Sequence, residues 1–309
     1  MLNHLLVVFE TDKEDNDALA HAVRIARASG ARITLLRLLD LSSYKSSFVD
    51  PLDWHIRNLE IKLSLEKLRQ KLRKAGVAVH TEALDSSEAG NLLHYAQAQA
   101  VDLIILVKRT ERISDLVHNC IKSTSIPVLV LQAAGSPPNL TRSYRKLLVP
   151  LDSSQRAEYA LPFAAQFAQI FITEIIVAHV LHKPDTSRSR PLYVADRALI
   201  NQFVENNRSE IIPYLKQIAA RLPGKVETRL LTSDNVAVTL ANLAEQEEID
   251  LIVLCAHGHS GIPQQPYGNT TNSLITYGQK PMLVVQDLPV AQAAQTQSVR
   301  PSMKARSSA

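Results

Sequence analysis

Short apolar runs recur along the chain, separated by longer stretches whose apolar residues return at helical spacing. Residues 5–9, 32–38, 77–83, 103–107 and 128–131 are Val/Ile/Leu-rich and read as strands. Runs without polar alternation suit strands covered on both faces. The intervals between them read as amphipathic helices. The clearest opens at Asp50-Pro51, an N-cap followed by proline at the first helical position. Ile56, Leu59 and Leu63, then Leu65, Leu68 and Leu72, recur at helical spacing and predict a core-facing stripe. Gly76 in "KAGV" supplies a C-cap. Strand–helix alternation predicts a parallel sheet with right-handed crossovers.

The pattern occurs twice. "LLVVFETDKEDNDALAHA" from Leu5 aligns without gaps to "LLVPLDSSQRAEYALPFA" from Leu147, an offset of 142. Asp102 in "VDLIIL" matches Asp250 in "IDLIVL", an offset of 148. Pro127 in "IPVLVLQ" matches Pro281 in "KPMLVVQ", an offset of 154. The second copy is therefore longer by 6 residues in its middle and by another 6 between its fourth and fifth strands. "AAGSPPNLTRS", from Ala133, is a linker by composition. The expected domains are 1–133 and 144–288, and residues 289–309, rich in Ala, Gln, Ser and basic residues, are expected to be a disordered tail.

Composition narrows the function classes. At 46% hydrophobic the 309 residues can bury full cores. No apolar run approaches the roughly 20 residues of a membrane helix, and "MLNHLLVVFE" reads as a first strand rather than a signal peptide. Cys120 and Cys255 lie too far apart for a redox or metal motif, so a cytoplasmic protein is expected. The net charge of +4 sits largely in "LEKLRQKLRK" and the tail, which a solvated helix face explains without nucleic acid or membrane.

Open parallel sheets bind ligands at the carboxyl ends of their strands. Two loops of the second copy carry polar groups there. Asp152, Ser153 and Ser154 follow its first strand, and "CAHGHSGIPQQPYGNTT" follows its fourth. A carboxylate facing a glycine-rich turn suits a nucleotide, the acid on ribose hydroxyls and backbone N–H groups on phosphates. The helix after Gly268 would add its N-terminal N–H groups, and Asn269, Thr270 and Thr271 could add side-chain donors. Spacing alone leaves open a nucleotide loop or a plain loop. Other chemistry is thin. His257 and His259 lack the further ligands a metal site needs. "GHSG" lacks the G-x-S-x-G spacing, and no Walker motif is present. Cys255 reads as a buried strand-end thiol; no catalytic residue and no metal site are expected.

Over nearly all of both copies the chain resembles the universal stress proteins, in their tandem form. That family's G-x2-G-x9-G-[S/T] signature falls on Cys255, Gly258, Gly268 and Asn269, departing from the pattern at the first and last. Asp152, Pro150 in "LVPLD" and Val180 in "AHVL" match other family positions. The resemblance implies an α/β, Rossmann-like fold of two repeated five-stranded parallel sheets in order 3-2-1-4-5, with helices on both faces. It implies a site for ATP or a related adenine nucleotide, with or without magnesium, made by Pro150, Asp152, Val180, Cys255, Gly258, Gly268, Asn269 and Thr270. The implied role is a non-catalytic binding module in stress response or signalling. The alternatives are an interaction or scaffold protein without nucleotide, and a slow ATPase.

The first copy lacks the glycines. Val107-Lys108-Arg109-Thr110 replaces the start of the loop, Thr110 and Ser114 stand at the positions of Gly258 and Gly268, and Glu10 stands where Asp152 does. A structural or partner role follows, with Lys108 and Arg109 either solvated or gripping an anion. The fifth strands, "PVLVLQ" and "PMLVVQ", are apolar edges that invite pairing. The resemblance implies that they pair antiparallel within the chain as family dimers do, leaving a homodimer and a protein partner open.

Overall fold

The computed structural model describes residues 2–9, 16–39, 51–85, 89–108, 114–133, 144–182, 194–258 and 267–287. The first repeat runs β1 (His4–Phe9), α1 (Asn16–Ser29), β2 (Arg32–Leu39), α2 (Pro51–Lys74), β3 (Val79–Asp85), α3 (Ala89–Ala98), β4 (Leu103–Lys108), α4 (Asp115–Ser123) and β5 (Val128–Gln132). The second runs β6 (Lys146–Pro150), a 3-10 turn (Ala157–Ala160), α5 (Leu161–Phe171), β7 (Glu174–His182), α6 (Val194–Arg221), β8 (Val226–Ser233), α7 (Val236–Gln246), β9 (Leu251–Cys255), α8 (Asn269–Tyr277) and β10 (Met282–Val285). The expected tail lies outside the described residues.

The strands form one sheet in order β3-β2-β1-β4-β5-β10-β9-β6-β7-β8. Each half is parallel and has the 3-2-1-4-5 order in its own numbering. The halves meet where β5 and β10 pair antiparallel, Met282 opposite Val130, Leu283 opposite Leu129 and Val284 opposite Val128. Leu129 and Leu283 are equivalent residues of the repeat and face each other, so a pseudo-twofold axis passes between them. Both are wholly buried.

Strand periodicity divides the interior into two layers. Leu5, Val7 and Phe9 pack with residues of α1, α2 and α5. Leu6 and Val8 pack with residues of α3, α4, α7 and α8. The repeated aspartates have a common task. Asp102 Oδ2 accepts from the N–H groups of Asn3 and His4 at 2.7 and 3.0 Å, and Asp250 Oδ2 accepts from Arg145 and Lys146 at 2.8 and 3.2 Å. Each satisfies donors at the entry to its first strand.

Two expectations change. In α2, Ile61, Leu65, Leu68 and Leu72 are buried, but Ile56, Leu59 and Leu63 are 46%, 48% and 61% exposed. The helix carries apolar residues on two faces, and only one can lie on the sheet. β3 begins at Val79 rather than 77, because Gly76 (φ 79°) must first reverse the chain while Val77 N–H still bonds back to Leu72.

Candidate functional site

β6 and β9 are hydrogen-bonded neighbours, Leu147 opposite Leu251 and Leu148 opposite Ile252. The loops leaving their carboxyl ends therefore stand side by side. Pro150 ends β6 opposite Ala178, and Val180 lies two residues further along β7; both are half-buried.

Asp152 is set by its own turn. Its Oδ1 accepts from Ser154 N at 3.0 Å and Ser154 Oγ at 2.6 Å, and Ser154 Oγ accepts from Ala157 N at 3.1 Å. This short chain of bonds turns the strand into the following helix, with Ser153 held at φ 66°. The carboxylate meets Gly258. A Cβ there would stand 3.0 Å from the Asp152 carboxyl carbon and closer still to Oδ2. Close approach, rather than a left-handed φ, is what favours glycine at this position, because a Cβ would push the carboxylate aside.

Gly268 is the N-cap of α8 and supplies no side-chain cap. Its N–H donates to Ala256 O at 2.8 Å and its carbonyl accepts from Asn272 N at 2.9 Å. Asn269 is exposed and Thr270 half-buried at the first turn. Thr271 differs from expectation: it is buried, and its hydroxyl donates to the Cys255 carbonyl at 3.2 Å. Residues 259–266, including His259, lie outside the described residues.

Cys255 ends β9 opposite Val285 and is buried. Burial, with the nearby Asp287 and Asp152 carboxylates adding to it, pushes its thiol up to about 12. That thiol is protonated at neutral pH, the form that is the weaker nucleophile. His179 is also buried, and desolvation holds its imidazole below the ordinary range against opposing help from Leu151 and Asp152.

A largely buried polar cluster at these strand ends was not legible in the sequence. His257 Nδ1 lies 2.7 Å from Asp287 Oδ1, both side chains being 1% exposed, and Arg156 Nε lies 3.1 Å from Asp287 Oδ2. The three residues follow β9, β10 and β6, so the cluster ties three strand ends together. Their separation along the chain obeys no motif; only knowledge that the three strands end at one place could reveal it. His257 is thereby committed to a hydrogen bond with Asp287, and no cluster of three or more metal-ligating residues occurs among the described residues.

The first repeat grips the second around this site. Tyr267, immediately before Gly268, is buried with its hydroxyl 3.1 Å from His118 Nδ1 on α4, their rings edge to face. Lys108 is 5% exposed, and its ammonium donates to the Thr276 carbonyl in the last turn of α8. It faces the negative end of that helix, which corrects both alternatives given for it, solvation and a site for a free anion. Arg109 lies outside the described residues. Gln132 Nε2 donates to Ile275 O at 3.4 Å, and its repeat equivalent Gln286 donates to Ile121 O.

A carboxylate, a glycine pressed against it and a helix start without a side-chain cap thus share one crevice at a sheet's carboxyl edge. These groups fit a ribose and its phosphates. The fold is of the Rossmann-like α/β class. More narrowly, the chain belongs to the universal stress protein family, whose model matches residues 1–132 and 143–286. Universal stress protein MJ0577 of Methanocaldococcus jannaschii is 26% identical over 155 residues, 46% of this chain and 95% of that protein. A putative universal stress protein of Staphylococcus haemolyticus is 24% identical over 166 residues, 52% of this chain and 96% of that protein. Among solved structures, a universal stress protein from Archaeoglobus fulgidus superposes with a TM-score of 0.65 at 16% identity, covering 92% of this chain and 98% of that one. A putative universal stress protein from Pseudomonas aeruginosa gives 0.65 at 17%, covering 95% and 96%. These structural likenesses concern the fold. No described helix is long and apolar enough to cross a membrane.

Proposed function

We propose that the second repeat binds an adenine nucleotide, ATP or a relative, without turning it over, as a module in a cytoplasmic stress-response or signalling role. The observation that carries this reading is the direct packing of Asp152 against Gly258. Asp152 would take the ribose hydroxyls. Backbone N–H groups of Gly258, Asn269 and Thr270 would take the phosphates, while Gly268, its own N–H bonded to Ala256 O, would let the chain approach them closely. Pro150 and Val180 add apolar surface at the ends of β6 and β7. Cys255 lies under the crevice with a protonated thiol, which supports binding rather than covalent chemistry. A magnesium ion would enter with the phosphates and be held chiefly through them.

In this reading residues 1–133 form a first domain that braces the second, 144–288, through Tyr267, Lys108 and the paired fifth strands. That bracing also favours a second reading, in which the chain is an interaction protein and the crevice takes no ligand. Thermal stability and calorimetric titration with ATP, ADP, AMP and cyclic AMP distinguish the two. Binding that is lost in Asp152→Ala and Gly258→Val supports the nucleotide. No shift with any of the four at millimolar concentration refutes it. Phosphate release followed over hours tests for slow hydrolysis.

A further inference from the structure

A cleft of about 500 Å³ opens between α1, the last turn of α2 and the end of α5, on the helical layer. Its apolar walls include Leu19, Val23 and Leu72, with Phe171 reaching in from the second repeat. The size lies within the roughly 300–1,000 Å³ of small-ligand pockets, which gather at such junctions.

Its charge is one-sided. Arg24, Arg27 and Lys71 line it, and among the described residues no carboxylate does. The Arg24 guanidinium is held over the Tyr144 ring, 5.4 Å from its centroid. Arg27 Nε and Nη2 both donate to Ala75 O, at 2.9 and 2.5 Å, which fixes its head between α1 and the end of α2. Lys71 is exposed, and among the described residues it has no hydrogen-bond or ion-pair partner. The repeat shows that the helix does not need these cations. At the positions equivalent to Arg24 and Arg27, 142 residues on, α5 carries Gln166 and Gln169. The basic rim belongs to this one cleft.

We propose that the cleft binds a single-chain fatty carboxylate, its hydrocarbon chain against Leu19, Val23, Leu72 and Phe171 and its head among Arg24, Arg27 and Lys71. Apolar walls take up the methylenes, and planar guanidinium groups suit a carboxylate. This proposal is independent of the nucleotide crevice.

The test uses the full chain and hexadecanoate 13C-labelled at its carboxyl carbon, titrated by NMR and by calorimetry. Ala28→Trp fills the cleft from an exposed helix position, and Lys71→Glu reverses a rim charge; circular dichroism checks that both variants fold. The expected result is saturable one-to-one binding, abolished by Ala28→Trp and weakened about two- to fivefold by Lys71→Glu and in the methyl ester, as for loss of a partly screened ion pair. Absence of saturable binding overturns the proposal. So does binding that survives both substitutions, or an ester that binds as tightly as the acid.

Discussion

Adding one methyl group at Gly258 tests the central contact of the site. In Gly258→Ala the new carbon would lie 3.0 Å from the Asp152 carboxyl carbon, where ordinary contacts begin near 3.4 Å. The carboxyl carbon must retreat by about 0.4 Å and Oδ2 by more, or the loop must lift. Retreat strains the bonds from Ser154 N and Oγ, which hold Oδ1 at 3.0 and 2.6 Å. The carboxylate is the far end of an exposed side chain, so the cost lies at the low end of overpacking, about 1 kcal/mol. Asp152→Ala alone loses the turn's bonds and costs about 1 kcal/mol, since the residue is exposed. It also removes all three atoms that the methyl would meet first. The double variant should therefore be little less stable than Asp152→Ala, giving a coupling of about 1 kcal/mol in the favourable direction. Urea unfolding of the four proteins, followed by far-ultraviolet circular dichroism, measures it. Additivity within about 0.5 kcal/mol would refute direct packing of the glycine on the carboxylate.

Three further outcomes follow from the buried groups. With its thiol at about 12, Cys255 should be ionised only on the order of one part in 10⁴ at pH 8; buried Cys120 should be equally inert, so a thiol reagent should label both cysteines only after unfolding, and rapid labelling of native protein would contradict this. Lys108→Met should destabilise by about 1–2 kcal/mol, because the α8 carbonyl loses a charged donor; a variant as stable as the parent would remove Lys108 from its bracing role. His21 is held near 4, chiefly by burial and then by Arg24, so the unfolded chain binds the extra proton between pH 6.5 and 4. Stability should fall as pH falls through that window, by on the order of 2–3 kcal/mol from this residue, and His21→Phe, which copies Phe163 of the second repeat, should flatten the profile; an unchanged slope would exclude His21 as its source.

The doubled pattern of strands and helices was legible because burial writes period-2 and period-3.6 signals along the chain. The unequal offsets of the repeat also localised the six extra residues of the glycine loop. Asp152 and Gly258 could be named because a parallel sheet places ligands at strand ends, and because their surroundings resemble a known family. The buried face of α2 was less legible. Ile56, Leu59 and Leu63 are as apolar as Leu65, Leu68 and Leu72, and spacing cannot say which face meets the sheet.

The chain order of residues and their hydrophobicity were sufficient for the fold class and the repeat, since these depend on local periodicity and turn chemistry. The partnerships that complete the site come from folding. His257 finds Asp287 and Arg156, Tyr267 finds His118, and Lys108 finds the end of α8 across the junction of the two halves. No spacing encodes such pairs, because each joins residues that meet only when β6, β9 and β10 end at one edge and β5 closes on β10. The same closure brings Phe171 to the cleft beside α1 and α2.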